Sequence, residues 1–130
     1  MDILLDTCAI LAVGEGIKAL GSKSTSIIKD EDSNLFISPV TLGELACLCK
    51  KNKLSLSKPW SKWFEIFIEL YNCKELIIDR KIIQESYSLP EPFHNDPCDR
   101  ILAATARIHR MPVMTCDQLL IDSPFVETVW

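Results

Sequence analysis

The chain has 130 residues, 48% hydrophobic and 25% charged, with a net charge of −4 and a pI of about 5.1. That size and composition fit one domain spanning residues 1–130 with a real core, and exclude a disordered chain. No apolar stretch approaches the ~20 residues of a membrane-spanning helix, and the acidic balance lacks the basic footprint of a general nucleic-acid binder.

Residues 3–5 form a short apolar run that ends at Asp6 and reads as the first strand. Residues 7–13 read as a helix, broken by Gly14 and Gly16. A second helix is expected over residues 22–30. Residues 35–37 read as the second strand. Ser38 then offers a cap and Pro39 a first helical position, opening a helix to about Lys51.

Residues 52–58 read as a loop. Residues 59–71 read as a strongly amphipathic helix, because Trp60, Trp63, Phe64, Phe67 and Tyr71 fall on one stripe suited to core packing. A third strand is expected at residues 75–78 and a helix at 80–88. Pro90 and Pro92 mark residues 89–95 as an irregular loop. A helix over 97–110, a strand at 112–115, a short helix at 117–121 and a last strand at 126–130 complete the chain. Strands alternate with helices throughout, which predicts an α/β fold with a parallel sheet and helices on its faces.

The six cysteines are Cys8, Cys47, Cys49, Cys73, Cys98 and Cys116, and no Cys-x-x-Cys occurs. With only His94 and His109 besides, a zinc site has little support, and the thiols read as small reduced hydrophobes. The N-terminus lacks the basic start of a signal peptide, so a cytoplasmic location is expected. Lys50, Lys51, Lys53, Lys58 and Lys62 form a local basic cluster, each a solvated surface residue when taken alone.

Four acids stand out. Asp6 ends the first strand, and Asp117 follows the fourth. Asp99 begins the helix that leads into the fourth strand. In open α/β sheets, ligands bind beyond the carboxyl ends of the strands. Glu44 lies on a helix whose one face carries Leu42, Leu45, Ala46 and Cys49. Its own face carries Val40 and Leu48, so the helix is apolar on both sides and the glutamate needs a partner. Carboxylates gathered in one place repel each other, and a hard cation such as Mg²⁺ is the usual counterweight. The competing reading is capping: Asp6, Asp96 and Asp117 each precede a helix, and Asp99 suits a first turn. Thr7 and Thr115 adjoin candidate ligands, where a hydroxyl either orients a carboxylate or serves a turn. His94, in a polar loop, is either exposed or in reach of a phosphate.

Together these residues resemble the PIN-domain ribonucleases, most closely the VapC toxins of toxin–antitoxin pairs. The matches are Leu4-Leu5-Asp6-Thr7, Ile37-Ser38-Pro39-Val40-Thr41-Leu42-Gly43-Glu44, residues 94–106 around Asn95-Asp96-Pro97-Cys98-Asp99-Arg100, and Pro112-Val113-Met114-Thr115-Cys116-Asp117. The resemblance implies a three-layer α/β/α fold with a mainly parallel sheet. It implies an acidic quartet of Asp6, Glu44, Asp99 and Asp117 holding Mg²⁺ or Mn²⁺, with Asp96 as an accessory acid. It further implies an RNA substrate, an antitoxin protein as partner, and a homodimer. The sequence departs from the pattern at Cys8, where histidine is frequent, and at Cys98, where an aromatic is usual.

The expected chemistry is hydrolysis of RNA phosphodiester bonds by a metal-activated water. No Gly-rich phosphate loop occurs, and the two histidines lack the setting for Ser/His/Asp chemistry. A phosphotransferase using Asp6 as nucleophile would need a lysine near the later strands, and none precedes Asp117. The alternative is a catalytically inactive PIN-like domain that binds RNA or protein.

Overall fold

The structure is a computed structural model that describes residues 1–90, 93 and 95–130. The expected reading of His94 therefore lies outside the described residues. The elements run β1 (Asp2–Leu5), α1 (Thr7–Glu15), α2 (Ser22–Lys29), β2 (Asn34–Ile37), α3 (Pro39–Lys50) and α4 (Trp60–Leu70). They continue with β3 (Lys74–Glu75), α5 (Arg80–Ser88), α6 (Pro97–His109), β4 (Val113–Met114), α7 (Gln118–Ile121) and β5 (Thr128–Val129).

All five strands pair in parallel, in the order β3-β2-β1-β4-β5. The expected parallel α/β/α arrangement is what forms. Ile3, Leu4 and Leu5 of the central strand are fully buried. Period-two alternation sends Ile3 and Leu5 to one face and Leu4 to the other. Ile3 and Leu5 join Ile10, Leu35, Ile37, Leu45, Trp63, Phe64 and Phe67 in one cluster. Leu4 joins Leu102, Ala103, Ala106, Val113 and Leu120 in a second. Burying each large apolar side chain contributes about 1.5–3 kcal/mol, so the two clusters carry much of the stability.

The aromatic stripe of α4 packs as expected. Trp63 and Phe67 stack at 5.4 Å between centroids, and Phe67 meets Tyr71 at 4.7 Å. This contact explains the first departure from expectation. Gly14 does not break α1; it lies inside it, and a Cβ there would stand 2.5 Å from Trp63 Cζ2. The glycine lets the indole lie against the helix backbone. Gly16, at φ 64°, is the residue that ends the helix. The strands β3, β4 and β5 are two residues each, shorter than expected. Ladder bonding still extends past them, since the Leu76 amide donates to the Ile37 carbonyl at 2.9 Å and Val113 to Glu127 at 2.9 Å.

The chain order places the site. From β1 it crosses to β2 and β3 on one side, then returns to β4 and β5 on the other. The reversal falls between β1 and β4, the switch point where such sheets open a crevice beyond their carboxyl ends.

Candidate active site

Asp6 leaves the end of β1 and caps α1. One carboxylate oxygen accepts the Thr7 amide at 2.7 Å, and the other accepts the Thr115 hydroxyl at 2.7 Å. Asp6 is 6% exposed. Burial is the largest influence on its carboxyl and raises its pKa above 3.8, with Asp117 adding repulsion.

Thr115 follows β4 and is fully buried. Its hydroxyl donates to Asp6 and accepts the Asp117 amide at 3.0 Å. One side chain thus ties the ends of β1 and β4 to the segment carrying Asp117. Thr7 does the same on the other side: its hydroxyl donates a short hydrogen bond to Glu44 of α3. Glu44 therefore has the partner its apolar helix requires. Burial again leads in raising its pKa, followed by the charges of Asp6, Asp96 and Asp117.

Asp96 and Asp117 are the N-caps of α6 and α7. Asp96 accepts the Cys98 amide at 2.9 Å, and Asp117 accepts the Leu119 amide at 3.0 Å. The capping and site readings of these acids hold together. Asp99, in the first turn of α6, is 7% exposed. Burial, then the charges of Asp96, Asp6, Asp117 and Glu44, push its carboxyl from 3.8 up to about 8.

Asp6, Thr7, Glu44, Asp96, Asp99 and Asp117 all line one open cavity of about 320 Å³, completed by Cys8, Leu11, Leu48 and Cys116. No lysine or arginine is among these residues. The four principal acids and the accessory one thus meet at the sheet's switch point, as their positions predict. Among the described residues, no three acidic, thiol or imidazole groups stand close enough to hold an ion as the side chains are placed. As placed, Asp6, Asp96 and Asp117 each face a helix amide, and Glu44 faces Thr7. The donor chemistry nevertheless fits a hard cation, since five carboxylates line one cavity.

Cys8 sits at this wall as a neutral thiol. Cys8 Sγ accepts the Cys116 amide at 3.2 Å and lies 3.5 Å from the Thr115 hydroxyl. Burial and the Asp6 charge push its pKa up to about 12. Burial and the charges of Glu44, Asp96 and Asp99 raise Cys98 to about 11.

Arg100 is the residue that sequence reasoning passed over. It is 7% exposed, and its guanidinium donates to the Ser86 carbonyl at 3.1 Å and the Phe93 carbonyl at 3.0 Å. It fastens α6, and with it Asp96 and Asp99, to α5 and the segment between them. The only signal in the sequence was its place beside Asp99 in Asn95-Asp96-Pro97-Cys98-Asp99-Arg100. A charged side chain defaults to the surface, so nothing there marks it as buried.

Thr115→Val preserves shape and removes both bonds of the hydroxyl. The expected loss is about 1–3 kcal/mol, because a buried amide and a buried carboxylate each lose a partner. Thermal melts will read it, and a change within a few tenths of a kcal/mol would show that the hydroxyl bridges nothing of consequence.

Residues 3–124 match the PIN domain family. Ribonuclease VapC22 of Mycobacterium tuberculosis is 26% identical over 130 residues, covering 98% of both chains. Two solved structures share the fold at low identity. VapBC2 from Rickettsia felis, bound to a DNA fragment from its promoter, superposes with a TM-score of 0.70 at 15% identity, covering 100% of this chain and 99% of that one. FitAcB from Neisseria gonorrhoeae gives 0.64 at 20% identity, over 98% of this chain and 96% of that one. A parallel sheet in this order, acids converging at its switch point and a match over nearly the whole length have one common explanation: the chain belongs to the PIN-domain family.

Proposed function

We propose that this chain is a Mg²⁺- or Mn²⁺-dependent endoribonuclease, the toxin of a toxin–antitoxin pair, acting in the cytoplasm as a homodimer and as a single catalytic domain. The observation that carries the reading is the convergence of Asp6, Glu44, Asp99 and Asp117 on one cavity. Likeness to Ribonuclease VapC22 supports RNA as the substrate. The solved relatives named as toxin–antitoxin complexes, including one from Klebsiella pneumoniae, support an antitoxin partner. Among the described residues no helix is long and apolar enough to cross a membrane, which agrees with that setting.

Asp6, Asp99 and Asp117 would hold the ion, with Glu44 completing the set. When bound, the ion supplies an activated water at neutral pH and offsets charge on the phosphate. The chain's own part is positioning and charge. Thr115 fixes the rotamer of Asp6, and Thr7 fixes that of Glu44. Asp99, raised to about 8, tends to hold a proton near neutrality, which it would give up to a bound cation. Leu11 and Leu48 form the apolar part of the wall beside the acids. No side chain of the protein acts as a nucleophile in this scheme.

RNA cleavage by the purified protein is expected with Mg²⁺ or Mn²⁺ and is expected to stop in excess EDTA. The chelator should also lower the melting temperature, because a ligand that binds only the folded chain stabilises it. Cleavage that persists undiminished in EDTA would remove the metal from the mechanism. A PIN-like module that binds RNA without cutting it would instead shift on an RNA gel and leave the strand intact.

A further inference from the structure

The cavity at the acids is not acidic along its whole length. Beyond Thr7, Cys8 and Glu44 its walls are Leu11 from α1 and Leu48 from α3. Each leucine lies one helical turn past the site residues of its own helix. The cavity therefore opens as a groove between α1 and α3, leading away from the carboxylates.

The face of α3 continues further. The Lys51 amide still donates to the Cys47 carbonyl at 3.1 Å, so Lys51 completes the last turn. Glu44, Leu48 and Lys51, spaced four and three apart, share one face. At 1.5 Å of rise per residue, Lys51 stands about 10 Å along the axis from Glu44. Beyond it the chain turns at Asn52, with φ 56°.

Lys51 also belongs to a concentrated charge. Residues 50–62 contain Lys50, Lys51, Lys53, Lys58 and Lys62 and no acid, in a chain of net charge −4. All five are exposed. Among the described residues, Lys62 pairs with Glu65 at 3.6 Å, and no ion pair joins Lys50, Lys51, Lys53 or Lys58 to a carboxylate. An acidic pocket thus leads, through an apolar wall, to a basic end. A polyanionic strand needs that order: a cation-binding pocket at the bond to be cut, an apolar surface for a base, and lysines for the next phosphates.

We propose that the α1–α3 groove is the track of a single RNA strand, with Leu11 and Leu48 against a base and Lys51 on a phosphate flanking the scissile one. This rests on the ribonuclease reading and adds to it a direction for the substrate. A duplex buries its base faces and gains nothing from the leucines, so the groove selects unpaired RNA.

The test uses the full chain with Lys51→Gln and Lys51→Glu, and Lys29→Gln as control. Lys29 lines a separate cavity with Ser33 and Asn34, at the opposite edge of the sheet. Binding of a 2′-O-methyl RNA oligomer, which resists cleavage, is read by fluorescence anisotropy at several salt concentrations. Cleavage of the unmodified oligomer gives kcat and KM. Lys51→Gln is expected to weaken binding about threefold and Lys51→Glu about tenfold, with the salt slope falling by about 0.7. KM should rise with them while kcat stays within about twofold, the mark of lost ground-state binding. Lys29→Gln should bind as the parent does.

A parent that binds and cuts RNA while Lys51→Glu keeps its affinity and salt slope would overturn the track and leave the ribonuclease reading standing. Equal affinity for the same sequence as a duplex would overturn it too. A parent that neither binds nor cuts would remove both readings.

Discussion

Asp99→Asn is expected to abolish RNA cleavage and, in the same molecule, to raise the melting temperature of the metal-free chain. The two effects share a cause. Asp99 has a pKa of about 8 in the folded chain and an ordinary value of 3.8. Folding therefore favours its protonated form. Below about pH 4 the group is protonated in both states and has no effect. Between about pH 4 and pH 8 the unfolded chain ionises while the folded chain resists, and stability is lost. Asp6 and Glu44, also raised, act in the same direction. Asparagine removes the charge and keeps the shape, so the gain above pH 8 should be on the order of 3 kcal/mol and should vanish near pH 4. Melts in EDTA at several pH values will show it, and a gain that does not change with pH would exclude a raised carboxyl. Cleavage should fall by more than about 100-fold, the upper range for partners that only orient metal ligands. Mg²⁺ should stabilise the parent and no longer the variant.

The second large effect is expected from Arg100→Met. The methionine fills much of the space but donates nothing to the Ser86 and Phe93 carbonyls. Hydrogen bonds from a charged donor are worth about 1.5–3 kcal/mol each, and the contact with the Phe93 ring at 5.6 Å is lost as well. A net loss of about 3–4 kcal/mol follows, because the buried carbonyls are left to find water. Arg100→Lys should recover little, since one ammonium cannot span two carbonyls as a fork does. Chemical denaturation will measure the loss. A variant that melts with the parent would show that the α5–α6 packing holds the segment without the arginine.

The alternation of apolar runs and helical stripes fixed the parallel α/β reading, because one-dimensional periodicity follows directly from which faces are buried. The capping of α3 by Ser38 and of α1, α6 and α7 by Asp6, Asp96 and Asp117 was legible for the same reason: it involves neighbours in the chain. What was illegible is long-range. The Thr7–Glu44 bond spans 37 positions and the Thr115–Asp6 bond 109, and no local pattern announces either. Gly14 was misread because its cause, the Trp63 ring, lies far along the chain. The acids could be gathered at one sheet edge from their strand positions. That the same acids cap helix amides and line the cavity at once could not, since the two readings stood as rivals.

That last feature sets how tightly an ion is held. Asp6, Asp96 and Asp117 are each engaged by an amide at a helix start before any cation arrives. Under the proposed ligand set, an incoming ion would share the Asp6 and Asp117 carboxylates with those amides, so its net gain would be smaller than from free carboxylates. Such a site would fill and empty with the free cation around it instead of retaining its ion through purification. Freshly isolated protein should then be idle until the ion is added back. On the proposed activity, the cutting rate would follow the cation level as a graded response, a sensitivity set by two helix caps, Asp6 and Asp117.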